Sequence, residues 1–241
     1  MKTGFFGEKD ADVCLLQPVD RHDLDMMDSE YAYIQEHTSK KIFLAAVLVD
    51  DWNKDLSPWE APPVFGKEGF GDGAAETLSY IETNVVPELL GGRHAPAQPE
   101  AEEGTAAGDT GRIPIILGGY SLAGLFALWS VYQTDIFAAC AAASPSVWFP
   151  GWIDYAASHP VKTGSVYLSL GDREKKTRNP VMATVADCIE KQAVLLDGLP
   201  HTLEWNPGNH FVDSDIRTAK GFVWAIRFAC QIDTIKYNFC K

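Results

Sequence analysis

The chain has 241 residues, 46% hydrophobic and 22% charged, a balance that suits one large buried core and excludes a disordered or fibrous protein. Its 33 acidic against 20 basic residues leave a net charge of -13, which repels nucleic acid phosphates and anionic membrane surfaces, so neither is an expected partner. No apolar run reaches the roughly 18 to 20 residues of a spanning helix, and the opening MKTGFFGEKDADV lacks the apolar stretch of a secretory signal, so a cytoplasmic protein is expected.

In chain order, the first compact apolar run, Val13 to Gln17, predicts a strand, and three- and four-residue apolar spacing predicts a helix over Ser29 to Thr38. A second strand is expected at Ile42 to Val49 and a helix at Gly73 to Leu90. Residues 91 to 112, rich in Gly, Ala, Pro and Glu with little to bury, read as a flexible surface insertion within a single domain spanning 1–241. Beyond it, strands are predicted at Ile113 to Leu117, Phe137 to Ala142, Ser165 to Leu170 and Thr202 to Trp205. Helices are predicted at Leu122 to Gln133, Asn179 to Asp197 and Asp215 to Gln231, the last with Asp215 as N-cap. Short buried-type strands alternating with helices give an α/β fold, a mostly parallel sheet with helices on both faces. The cysteines Cys14, Cys140, Cys188, Cys230 and Cys240 are widely spaced without a C-x-x-C pair, as expected of reduced thiols rather than a zinc site.

The segment that carries chemistry is IPIILGGYSLAGLFALWSVY, where a strand runs into Gly119-Tyr120-Ser121-Leu122-Ala123 and then into a helical pattern. A nucleophilic serine at such an elbow needs small residues two before and two after it, and Gly119 and Ala123 meet that demand. The five-residue pattern alone arises by chance, and a serine capping the next helix is the bland reading; the strand-turn-helix placement favours the nucleophile. Such a serine requires an acid and then a histidine later in the chain, each in a loop after a strand. The strand GSVYLSL ends at Gly171-Asp172-Arg173-Glu174, offering two carboxylates, and TLEW is followed by Asn206-Pro207-Gly208-Asn209-His210. His210 is the histidine so placed; His22, His37, His94, His159 and His201 read as surface or flanking residues. Imidazole titrates near ~6.5, so it can take the serine proton and return it to a leaving group.

On LGGYSLAGLFALWS, AAASPSVWFPG, YLSLGDREKKTRNP, LEWNPGNHF and the upstream DDWNKDLSPWEAP, the chain resembles an esterase family of α/β hydrolases. Its members include esterase D, feruloyl esterases and the trilactone esterases that open siderophores such as enterobactin. The resemblance covers most of the chain and implies an α/β-hydrolase fold with Ser121 as nucleophile and His210 as base. The family's Gly-x-x-acid spacing points to Glu174 as the acid, with Asp172 the alternative. Little sequence precedes Val13, so the opening strands of the full sheet are expected to be shortened. A shortened sheet leaves an edge that can pair with a second copy, making a homodimer a candidate partner.

The reaction expected is hydrolysis of a small organic ester, siderophore-like or aromatic, through an acyl-enzyme, with no metal or cofactor. The oxyanion would be held by the backbone N–H of Leu122 and, by resemblance, a second N–H from the loop after the first strand, at Val19 or Asp20. The short cluster Asp20, His22, Asp23 lacks the separated spacing of a zinc site and reads as a solvated turn. Trp52, Trp59, Trp148 and Trp152 fall in loops at the C-terminal edge of the sheet, where ligands bind, and are the candidate substrate-binding residues. A non-catalytic ligand- or partner-binding protein of the same fold and an acyltransferase using the same triad remain the alternatives.

Overall fold

The computed structural model describes residues 1–64, 66–91 and 113–230. The strands β1 (Lys2–Gly7) and β2 (Val13–Val19) are followed by α1 (Arg21–His37), β3 (Ile42–Leu48) and the short α2 (Trp52–Asp55). Next comes a helical run made of α3 (Ala74–Tyr80), a π-helical turn (Ile81–Val85) and α4 (Val86–Leu90). The second half alternates regularly through β4 (Ile115–Tyr120), α5 (Ser121–Gln133), β5 (Ala139–Ala143), α6 (Trp152–Ser158), β6 (Val166–Gly171), α7 (Val185–Leu195), β7 (His201–Asn206) and α8 (Ser214–Ala229). A single 3-10 turn, Met182–Thr184, leads into α7.

The strands form one sheet in the order β1-β3-β2-β4-β5-β6-β7, with β1 antiparallel to β3 and every other pairing parallel. Side chains alternate across the pleat, so each central strand feeds two cores at once. Cys14, Leu16, Ala45, Leu117 and Ala142 face one core with α3 to α7. Val13, Leu15, Leu44, Ile116 and Ala141 face the other, where Met27 and Ile34 of α1 meet Phe222 and Ile226 of α8. Both faces being covered explains why the strands read as unbroken apolar runs. The helix α5 is buried from Leu122 through Tyr132, as expected of a helix that lies against the middle of the sheet.

Several expectations need correction. The strand β1 was missed because KTGFFG is short, half-exposed and interrupted by Gly4, and it is the only strand before Val13. The first helix begins at Arg21, well ahead of Ser29. Its N-cap is Asp20, whose carboxylate accepts the Asp23 N–H at 2.8 Å, so the polar cluster that resembled a solvated turn is a helix start. Asp215 is not the cap of the last helix. Asp213 holds that position, and Asp215 lies in the first turn, where it accepts the Ser29 hydroxyl at 2.9 Å. The segments expected as loops at Trp52 and Trp152 form α2 and α6, helices too short to display a period. The expected insertion at 91–112 lies, Gly91 apart, outside the described residues, as do Cys240 and Gln231.

Candidate active site

The turn from β4 into α5 places Ser121 at the C-terminal edge of the sheet with φ at 57°, in the left-handed region that costs a non-glycine residue on the order of 1 to 3 kcal/mol. The bend is tight because the start of α5 folds back on the end of β4. A Cβ on Gly119 would come within 2.7 Å of the Ala123 carbonyl carbon and 2.8 Å of the Ala123 Cβ, which is why both positions must be small. The Ser121 carbonyl accepts the Ser146 N–H at 3.0 Å, tying the turn to the loop after β5.

The loop after β7 returns His210 to this turn. His210 Nε2 lies 2.9 Å from Ser121 Oγ, and His210 Nδ1 lies 2.7 Å from Glu174 Oε2. With the proton on Nδ1 donated to the carboxylate, Nε2 is left to accept from the serine hydroxyl. Of the two acids after β6, the structure brings Glu174 and not Asp172 to the histidine. Asp172 is largely exposed, and its Oδ1 accepts the Gly208 N–H at 2.8 Å, closing the histidine loop onto the loop after β6.

Glu174 is held from behind by donors. Its Oε1 accepts from the Gly171 N–H at 2.7 Å, the Ser144 hydroxyl at 2.8 Å and Arg217 Nη1 at 3.3 Å, leaving Oε2 for the imidazole. Ser144 is itself left-handed, with φ at 41°. Arg217, 2% exposed on α8, also donates to the Tyr120 hydroxyl at 3.1 Å and the Pro207 carbonyl at 2.9 Å. The Tyr120 hydroxyl donates in turn to the His210 carbonyl at 2.7 Å. Burial, with the Glu174 charge beside it, pushes the Tyr120 phenol up to about 12, so it stays a donor at neutral pH. Arg217, Tyr120 and Ser144 escaped the sequence reading. The available signal was Arg217 standing four residues before Gly221 and eight before Ala225, a cation on the buried stripe of its helix.

A cavity of about 410 Å³ opens beside Ser121 and His210. Trp52, Phe70, Trp148 and Phe211 give it aromatic walls, Met182 and Leu122 add aliphatic surface, and Asn53, Ser146 and Thr177 supply neutral polar groups. Phe211 stands 88% exposed at the mouth. Two of the expected substrate-binding tryptophans do not reach this cavity. Trp152 is fully buried, donating its ring N–H to Gln192 Oε1 at 2.9 Å. Trp59 donates to the Pro150 carbonyl at 2.9 Å and packs edge-on against Phe149. Trp59 braces the segment between β5 and α6, while Trp152, the first residue of α6, ties that helix to α7, both being packing roles common for large rings. Val19 and Asp20 also lie outside the cavity lining: Val19 closes β2, and the Asp20 carboxylate is engaged in capping α1. Among the described residues no cluster of His, Cys, Asp and Glu is arranged to hold a metal ion. Nor is any described helix long and apolar enough to cross a membrane.

These features define the class, for the chain has the fold of the α/β hydrolases, and solved structures share it across nearly the whole chain. An IroE-like serine hydrolase from Shewanella oneidensis is similar at a TM-score of 0.69 and 16% identity, over 92% of this chain and 74% of that one. The siderophore hydrolase EstA from Aspergillus nidulans is similar at a TM-score of 0.64 and 18% identity, over 92% and 84%. A ferulic acid esterase is similar at a TM-score of 0.52 and 13% identity, over 90% and 85%. No protein-family model matches the chain. No curated protein matches it.

Proposed function

We propose that the chain is a serine-dependent carboxyl-ester hydrolase in which Ser121 is the nucleophile, His210 the general base and Glu174 the acid. The observation that carries this reading is the unbroken line from Ser121 Oγ to His210 Nε2 at 2.9 Å and from His210 Nδ1 to Glu174 Oε2 at 2.7 Å. The strained nucleophile elbow at Ser121 supports it, since such strain persists where the surrounding structure enforces it. The names of the similar structures, a serine hydrolase, a siderophore hydrolase and a ferulic acid esterase, favour an ester substrate.

In this scheme Ser121 Oγ attacks the ester carbonyl carbon while His210 Nε2 takes the hydroxyl proton. The oxyanion that forms lies at the N-terminus of α5, where the Leu122 N–H is available to it. The imidazolium, stabilised by Glu174, gives its proton to the departing alkoxide. Water then attacks the acyl-enzyme with His210 again as base, releasing the acid and restoring Ser121. Arg217 and Tyr120 act as positioning residues, the first fixing Glu174 and the second fixing the backbone of His210. The aromatic walls fit an apolar or aromatic part of a small organic ester.

Fluorophosphonate labelling at neutral pH tests the reading, because the probe reacts with an activated serine. Wild-type protein should label, while Ser121→Ala and His210→Ala should not, and both variants should keep the wild-type circular dichroism spectrum. Turnover of simple aryl esters should fall by roughly 10³-fold or more in each variant. Well-folded wild-type protein that fails to label would overturn the assignment.

A further inference from the structure

The loop between Glu174 and the 3-10 turn at Met182 runs along one side of the Ser121 cavity. Glu174 at one end bonds His210, while Thr177 in its middle and Met182 at its far end line the cavity. Its sequence, Arg173-Glu174-Lys175-Lys176-Thr177-Arg178, is the densest run of cations in a chain whose net charge is -13. With Glu174 turned inward, Arg173, Lys175, Lys176 and Arg178 are all exposed. Arg173 meets only its neighbour Asp172, at 3.7 Å, and Lys175, Lys176 and Arg178 form no ion pair with any described residue.

The carboxylates near the opposite wall do not neutralise this rim through ion pairs. Asp51 accepts the Lys54 N–H and caps α2, which carries Trp52 and Asn53. Asp55 accepts the N–H groups of Asp50 and Asp51. Asp172, in the same loop as the cations, is held by the Gly208 N–H and pairs with Arg173 at 3.7 Å, so the cations left without an ion pair among the described residues are Lys175, Lys176 and Arg178. Inside the cavity the walls are aromatic and aliphatic, with only neutral polar groups beside the imidazole. A ligand that uses both regions therefore has an apolar or aromatic body and an anionic end.

We propose that the 173–178 loop is an anion-binding rim, and that the ester taken by this site carries a carboxylate or similar oxyanion on the part that projects from the cavity. The proposal rests on the esterase reading for the word ester, but the rim itself is testable without turnover. Cations at a mouth also raise the encounter rate of an anionic substrate that the acidic remainder of the surface repels.

The experiment is calorimetric titration of the Ser121→Ala protein with 3-phenylpropionate and with its uncharged counterpart 3-phenylpropionamide, at low and at high salt. The carboxylate should bind about tenfold more tightly at low ionic strength, the sum expected of a few exposed pairs. That advantage should shrink markedly in 0.5 M salt, as screening demands. It should vanish in a Lys175→Gln, Lys176→Gln, Arg178→Gln variant whose circular dichroism is unchanged, with amide binding retained. Equal affinities, a preference that survives the triple substitution, or no binding of either compound overturns the rim. Failure of fluorophosphonate labelling in the native protein would sink the esterase reading instead, leaving a carboxylate preference to stand as a binding property.

Discussion

Among the described residues two glutamates are buried against this sheet, and their surroundings differ. Glu174, 8% exposed, receives a backbone N–H, a hydroxyl and a guanidinium on one oxygen and faces His210 with the other. Glu30, 4% exposed on α1, receives Gln17 Nε2 at 3.1 Å on Oε2, while its Oε1 has no hydrogen-bond partner. It borders a polar chamber of about 10 Å³ behind Tyr120, with room for about one water and with Asp23 and Asp215 close by. Burial pushes the Glu30 carboxyl up to about 8 and Asp23 up to about 6. Burial, with a single donor and acidic neighbours, favours the protonated form of Glu30, whereas Glu174 is surrounded by convergent donors and a cation.

The comparison breaks if the donors around Glu174 are dispensable. Glu174→Gln keeps the shape but removes the charge that stabilises the imidazolium and fixes its tautomer, so kcat on an aryl ester should fall about 10²- to 10⁴-fold. Asp172→Asn should cost less than about threefold. Steady-state kinetics on the two variants decide the matter, and a larger loss at Asp172 would reverse the assignment.

Arg217 sharpens the contrast from the other side. Arg217→Met strands a buried carboxylate and should destabilise the fold by about 3 to 5 kcal/mol in urea unfolding. It should also lower kcat on an aryl ester with little change in KM, because Glu174 loses the donor that fixes it behind His210. Arg217→Lys, which keeps the charge but not the forked geometry, should restore kcat better than it restores stability. A kcat unchanged in Arg217→Met would leave the arginine a purely structural role.

At Glu30 the expected effect falls on stability alone and not on turnover. Its folded-state value of about 8 lies above the ordinary 4.5, so the unfolded chain releases the proton first. This group's contribution to stability is therefore complete below about pH 4.5 and declines as the pH rises until the folded value is passed. Glu30→Gln should flatten the decline between those limits in a pH series of urea unfolding curves, leaving ester turnover at neutral pH unchanged. A slope that persists in the variant would place the pH dependence elsewhere.

The sequence was legible wherever one local pattern settles the outcome. The strands β2 to β6 are short, mainly apolar runs because both faces of the sheet are covered, and the elbow is visible because Gly119 and Ala123 must both be small beside Ser121. The chain order of Ser121, Glu174 and His210 was readable for the same reason, each standing after a strand. The antiparallel β1 was not, since its half-exposed side chains are defined by pairing with β3 rather than by a pattern of their own.

What the tertiary structure alone decided are the long-range choices among chemically equal candidates. Asp172 and Glu174 are two residues apart in one loop, yet only Glu174 turns inward, because Gly171, Ser144 and Arg217 supply its donors from three separate segments. Trp52 and Trp148 line the cavity while Trp59 braces a loop and Trp152 ties α6 to α7, a division set by where the packing leaves space. Periodicity and spacing report which residues a helix or strand hides; which hidden residues meet is fixed by the packing of elements far apart in the chain, and no local pattern carries that information.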